Sequence, residues 1–273
     1  MCSSCAAKAR RGTIRPCFVQ EGAAALPAAQ AAESAAFAPL PVLAAGTYRG
    51  DLARVLLAFK NRGHTDLAGF LVPVLAGVLQ EAAQETFRLS GARTLVLVPV
   101  PGSARSMRRR GYAPLALLIR RLERAGLLPP GCSAAPLVSY VRGYGSAVPF
   151  LPGRAGSRAA DGRRLAQKGL GSGNRRRNVR NTMTAAPSRS NRGTGGAGEG
   201  SLVGVSCVVV DDVLTTGATI GETVRALRAE GAGVFCAAVM AATPAPGRNT
   251  SPGSGAAAGA HPQEYGNGIG GRE

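Results

Sequence analysis

The chain has 273 residues, 45% of them hydrophobic but only 4% aromatic, no Trp, and a formal net charge of +18. That length permits two domains, yet the composition suggests one folded domain with an aliphatic core and several ornaments. No run of eighteen or more apolar residues occurs, which excludes a membrane-spanning helix by sequence.

The positive charge is mostly Arg, clustered at 105–110, 154–164 and 175–180. Two readings stand side by side: a polyanionic partner such as nucleic acid or polyphosphate, or the Arg- and Ala-heavy coding of a GC-rich genome. Clustering favours an anion-facing role for at least one run.

Residues 1–45 read as a Cys-containing N-terminal segment followed by a linker. Cys2 and Cys5 form a C-x-x-C pair where a signal peptide would place its apolar core, so a cytoplasmic location is expected. The six cysteines then read as thiols or metal ligands rather than disulfides. Cys2, Cys5 and Cys17 supply three ligands of an incomplete Zn²⁺ site; Gln20 stands where a second pair would close. The start at this pair leaves room for an upstream C-x-x-C. Residues 21–45 are rich in Ala and Pro, as in a linker.

The folded domain is expected over 46–243. Leu52, Val55, Leu56 and Phe59 recur at helical spacing between Tyr48 and Arg62, and Gly63 ends that helix. A second helix is predicted from Asp66 to Phe87, with Pro73 near its start or at a kink. His64 between them reads as a surface loop residue. Thr94 to Pro101 is a buried-strand pattern closed by prolines. An Arg-rich loop from Gly102 to Arg110 follows, then a helix through Leu115, Leu118, Ile119 and Leu122. Arg105, Arg108 and Arg110 behind a strand end offer a second anion site, since guanidinium forks match phosphate oxygens.

Pro136 to Arg142 is a short strand pattern, and 143–160 a Gly/Pro/Ser/Arg loop. Arg175 to Asn181 reads as a polar helical piece, and 185–204 as a flexible insertion. Val234 to Met240 is the last strand, and the tail over 244–273 is expected to be disordered. Strands at 94–98, 136–141, 205–210 and 234–240, separated by helices, predict an α/β fold with a mainly parallel sheet flanked by helices.

One stretch carries the chemistry. Val205 to Val210 is an apolar, β-branched run with Asp211 and Asp212 at its carboxyl end. Thr215, Thr216, Gly217, Ala218 and Thr219 form a small-residue turn. A helix with Ile220, Val224 and Leu227 on one face follows, up to Gly231. A strand, a tight turn and a helix N-terminus offer free N–H groups and a positive dipole to an anion. The adjacent carboxylates suit paired hydroxyls, as on a ribose. The residues therefore describe a sugar-phosphate pocket. They match neither a Walker A loop nor a dinucleotide fingerprint.

This string resembles the PRPP-binding motif of type I phosphoribosyltransferases: an apolar strand, two acids, then Thr-Thr-Gly-x-Thr. The resemblance implies that Asp211 and Asp212 contact the ribose hydroxyls of PRPP and that Thr215 to Thr219 enclose its 5′-phosphate.

Taken together, several segments resemble the competence-linked ComF family. They are the Cys pair, Leu57 to Gly63, Val98-Pro99-Val100-Pro101 with Arg108, Arg110 and Gly111, and Gln167-x-Gly169-Leu170 with Arg175 and Asn178. The Asp211 motif completes the order. A departure is Tyr112-Ala113-Pro114, where the family continues with Phe-Asn-Gln.

The resemblance implies transfer of phosphoribosyl to an unknown acceptor with loss of pyrophosphate. Mg²⁺ would enter with the substrate, and Arg105, Arg108 and Arg110 would face the pyrophosphate. No general base is identifiable. It equally allows a non-catalytic role in DNA uptake, with single-stranded DNA or a replication-restart helicase as partner.

Overall fold

The computed structural model describes residues 3–13, 15–30, 38–141, 181–186 and 201–244. The helices are α1 (Ser3–Arg11), α2 (Gly50–Asn61), α3 (Ala68–Ser90), α4 (Ala104–Arg110), α5 (Pro114–Arg124) and α6 (Ala218–Ala229). The strands are β1 (Cys17–Phe18), β2 (Val42–Ala44), β3 (Leu95–Pro99), β4 (Cys132–Ala134), β5 (Val138–Tyr140), β6 (Met183–Ala185), β7 (Ser206–Leu214) and β8 (Gly233–Ala242).

Six strands form one sheet in the order β1-β2-β8-β7-β3-β4. All neighbours are parallel except the edge pair β1–β2. The central strands bury both faces, which is why they read as unbroken apolar runs. Leu95, Leu97, Val208, Val210, Ala238 and Met240 point to the layer of α2, α3 and α5. The alternate residues Val96, Val98, Val209, Ala237 and Val239 point to α6 and the antiparallel β5–β6 pair.

α3 is long and apolar enough, by length and composition, to cross a membrane. Leu71, Leu75, Val78, Leu79 and Ala82 on it are instead fully buried in the domain core. Pro73 lies inside α3, in its second turn, where it removes the N–H that would donate to the Gly69 carbonyl.

Three expectations are corrected. The segment 21–45 is not a linker throughout: β2 lies inside it, pairs with β8 from Val42↔Ala237 to Ala44↔Val239, and is buried. The 136–141 strand does not join the main sheet. Its core, β5, pairs antiparallel with β6, and the sheet edge is filled by β4, whose residues Cys132–Ala134 carry little apolar signal. The Gly102 to Arg110 loop contains a helix, α4, started by Ser103, whose hydroxyl accepts from the Ser106 N–H. The readings of 143–160, 154–164, 167–180 and the tail from 245 fall outside the described residues, as do 187–200 of the expected insertion, whose described ends are ordered: Ala185 belongs to β6 and Leu202 is buried.

Candidate functional site

β3 and β7 are neighbours whose onward connections diverge. β3 leads through α5 to β4 on one face, and β7 leads through α6 to β8 on the other. A crevice opens at the carboxyl ends of such a pair, where ligands of α/β sheets bind. Proline deepens it here. β3 stops at Pro99, paired with Val210, while β7 runs on to Leu214 alongside β8. Asp211 and Asp212 thus lie within the extended end of β7, not after it.

The resulting cavity has a volume of about 660 Å³. Asp211, Asp212, Thr215 and Thr219 line one side of it. Lys60 stands at the end of α2, Ser103 at the N-cap of α4, Ser106 and Arg110 on α4, and Tyr140 on β5. Leu57, Met107, Pro101, Pro114 and Val138 supply apolar walls.

The two acids have different environments. Lys60 Nζ lies 2.9 Å from Asp212 Oδ1 and 2.6 Å from Oδ2. Asp211 accepts the Asp212 N–H through Oδ1 at 2.7 Å. Burial, and then the charge on Asp212, push the Asp211 carboxyl well above the usual carboxylate range. The Asp212 N–H and Lys60 oppose this only in part. Burial, aided by the Asp211 charge, likewise raises the Tyr140 phenol.

The small-residue turn spans Thr215 to Gly217, and Ala218 and Thr219, read as part of it, are the first residues of α6. Gly217 takes φ 80°, a left-handed backbone that favours glycine, and caps α6. Its carbonyl accepts the Gly221 N–H. The first-turn N–H groups of a helix have no partner within it; that of Ala218 donates to Thr216 Oγ1 at 3.4 Å, and Thr215 and Thr219 line the cavity nearby. The strand end is tied down by the Thr243 N–H, which donates to Leu214 O at 2.9 Å.

Of the three arginines expected near the pyrophosphate, Arg110 lines the cavity, but its guanidinium donates to Lys60 O at 3.0 Å and to Ser106 O at 3.1 Å. Arg108 is exposed on α4 and does not line the cavity. The side chain of Arg105 lies outside the described residues. Tyr112, at the departure from the family pattern, donates its hydroxyl to Phe59 O and stands edge-on to the Phe59 ring, with centroids 6.0 Å apart. Arg110 and Tyr112 thus satisfy two carbonyls at the end of α2 and hold the helix turn that carries Lys60.

Cys2 lies outside the described residues, Cys5 is half-buried on α1 and Cys17 is exposed on β1. Among the described residues, no group of three or more His, Cys, Asp or Glu side chains could hold a metal ion.

Residues 170–251 match the family model described as phosphoribosyl transferase domain. The fold is type I phosphoribosyltransferase-like. The matched segment contains β6, β7, α6 and β8, and with them both acids and the whole turn. No curated protein matches the chain.

Lys60 is the cavity residue that sequence reasoning passed over as a helix-end charge. The available signal was an acid pair at a strand end, which calls for a nearby cation. Tyr140 was hidden because its strand was read as part of the main sheet.

Proposed function

We propose that the cavity binds PRPP and that the protein transfers its phosphoribosyl group to an acceptor. The observation that carries this reading is the pairing of Asp211 and Asp212 with the Gly217 turn at one strand end, inside the segment matched by the phosphoribosyl transferase domain. In this reading the ribose hydroxyls donate to Asp212, which Lys60 holds in place, and to Asp211. The turn takes the 5′-phosphate through its N–H groups and the Thr215 and Thr219 hydroxyls. The reaction breaks the bond from C1 to the pyrophosphate oxygen and forms one from C1 to the acceptor, whose proton is released. The acceptor would lie against the apolar walls near Tyr140.

Two carboxylates offer hard oxygen ligands, which fit Mg²⁺ but do not complete a cage, so the ion would be shared with the ligand's phosphates. When bound, it would offset charge on the departing pyrophosphate. The protein's own part is to position the ribose between acids and turn, and to exclude water with Leu57, Met107 and Val138. A cytoplasmic setting belongs to this proposal.

Calorimetric titration with Mg²⁺·PRPP tests it. The wild type should bind, and the Asp211→Asn, Asp212→Asn double variant should lose binding by at least tenfold. Equal affinity in the folded double variant would remove the basis of the reading.

A second reading rests on charge. Arg108, Arg109, Arg120, Arg121 and Arg124 are exposed on α4 and α5, and none of them is ion-paired among the described residues. This supports a non-catalytic role in DNA uptake, binding single-stranded DNA or a replication-restart helicase. Binding to single-stranded DNA should then weaken steeply between low and moderate salt.

A further inference from the structure

The N-terminal segment reaches the turn proposed to hold phosphate. Ala25 N–H donates to Thr216 O at 2.9 Å. Leu26 packs on Gly217 so closely that a Cβ there would meet its Cδ2 at 2.8 Å. One helical turn on, a Cβ on Gly221 would meet Ala25 O at 2.6 Å. The segment is anchored just C-terminal to these contacts. Arg228 Nη1 donates to Ala28 O at 2.9 Å, and the Val234 N–H donates to Gln30 Oε1 at 2.9 Å. The Leu40 N–H closes on Pro27 O at 2.8 Å.

The geometry of one peptide unit gives these contacts a consequence. A peptide is planar and trans, so its carbonyl and the following N–H point in opposite directions. The Thr216 carbonyl is drawn toward Ala25, so the Gly217 N–H is turned away from this segment. None of residues 23–30 lines the cavity, nor do Thr216, Gly217 and Ala218, whereas Thr215 and Thr219 on either side of them do. Glycine tolerates either orientation of such a peptide at little cost. Unrestrained, this unit could turn over and present a carbonyl oxygen to an anion, replacing attraction with repulsion.

We propose that residues 23–30 are a positioning strap that locks the Thr216–Gly217 peptide with its N–H offered to the ligand's phosphate. The inference rests on the phosphoribosyl reading of the cavity and adds to it a part of the chain that the family match at 170–251 does not include. Two glycines, at 217 and 221, are needed because the strap's backbone and Leu26 occupy the space of their side chains.

The test uses the full chain and ribose 5-phosphate as probe. Gly221→Ala wedges the strap off α6 while favouring the helix itself. Leu26→Ala removes the packing behind Gly217, and Leu26→Met is the conservative control. Leu79→Ala, a cavity on the opposite face of the sheet, reports what destabilisation alone does. Expected are a loss of ribose 5-phosphate affinity of about tenfold in Gly221→Ala, the scale of one charge-assisted hydrogen bond, and a smaller loss in Leu26→Ala. Leu26→Met should recover affinity, Leu79→Ala should leave it intact despite a lower Tm, and exchange of the Ala25 amide, which donates to Thr216 O, should quicken in both strap variants. Wild-type affinity in both strap variants would overturn the proposal, as would losses that merely follow Tm as in Leu79→Ala. A wild type that binds no ribose 5-phosphate would defeat the phosphoribosyl reading and the strap's role with it. Wild-type binding with unaffected strap variants would defeat the strap alone.

Discussion

Lys60 Nζ spans both carboxylate oxygens of Asp212, 2.6 and 2.9 Å away, and so joins the end of α2 to the end of β7. The two side chains are 39% and 16% exposed, which places the pair between a solvated surface bridge and a buried one. Exposed pairs contribute little, and buried ones are costly to break on one side. Lys60→Met and Asp212→Asn should couple by about 1 kcal/mol in a double-mutant cycle read by urea unfolding. A coupling near zero would show that the pair does not persist in solution.

Asp211 gives stability a pH dependence of unusual sign. Burial and the Asp212 charge raise its native pKa above the ordinary value of 3.8. The unfolded chain therefore loses this proton first, the native state binds more protons, and stability falls as pH rises from about 4 through neutrality. Asp211→Asn keeps an acceptor for the Asp212 N–H and removes the buried charge. The variant should be more stable than wild type at pH 7 by about 1–3 kcal/mol, with the gain vanishing below pH 4. Thermal unfolding across pH measures it. A variant less stable than wild type at neutral pH would contradict the described environment of Asp211.

The legible parts were those written in long apolar runs or tight motifs. β3, β7 and β8 bury both faces, and α3 and α5 have clear apolar stripes, so their pattern needs no tertiary context. The Asp211 to Thr219 stretch was legible because the chemistry is contiguous. β2 was not, since Val42–Ala44 is three residues set among Ala and Pro, and only the pairing with β8 makes it a strand. β5 was recognised, but nothing local says that Val138 to Tyr140 turns away to pair with Met183 to Ala185. Lys60 and the strap at 23–30 were illegible for one reason: each acts on residues far along the chain, and no local spacing encodes that.

The Arg110–Tyr112 clamp separates two uses of a cavity arginine. Arg110 was expected to face pyrophosphate, yet its guanidinium holds Lys60 O and Ser106 O, and Tyr112 holds Phe59 O. Tyr112→Phe should lower stability by about 1 kcal/mol, the net worth of one hydrogen bond. Arg110→Met should cost more, about 1.5–3 kcal/mol, because a charged donor is lost at a helix C-terminus. Denaturant midpoints measure both. If Arg110→Met leaves stability unchanged but weakens PRPP binding, the arginine serves the ligand and not the helix.

The antiparallel β5–β6 pair brings Val138 and Tyr140 to the cavity wall, and its attachment to α6 converges on Glu222. That buried carboxylate accepts the Thr182 N–H at 2.8 Å and the Met183 N–H at 3.1 Å through Oε1. Arg225 grips it at 2.9 Å and also donates to Met183 O at 2.7 Å. Burial pushes the Glu222 pKa up, but the hydrogen bonds from Arg225 and the Met183 backbone, with the Arg225 charge, outweigh it, and the net shift is downward. A depressed carboxylate stabilises the native state in full above its ordinary value of 4.5, and that share is lost as pH falls through the lower native value. Glu222→Ala leaves two buried backbone donors and Arg225 without their acceptor, and should cost about 2–4 kcal/mol at pH 7. The difference from wild type should shrink below pH 4. Because the β5–β6 pair bears Tyr140, the same variant should also weaken PRPP binding at temperatures where it remains folded. Glu222→Gln, which keeps an acceptor oxygen for the Thr182 and Met183 amides, should recover part of both losses. A variant series in which stability falls but PRPP affinity stays constant would mean that the position of the β5–β6 pair does not matter to the ligand.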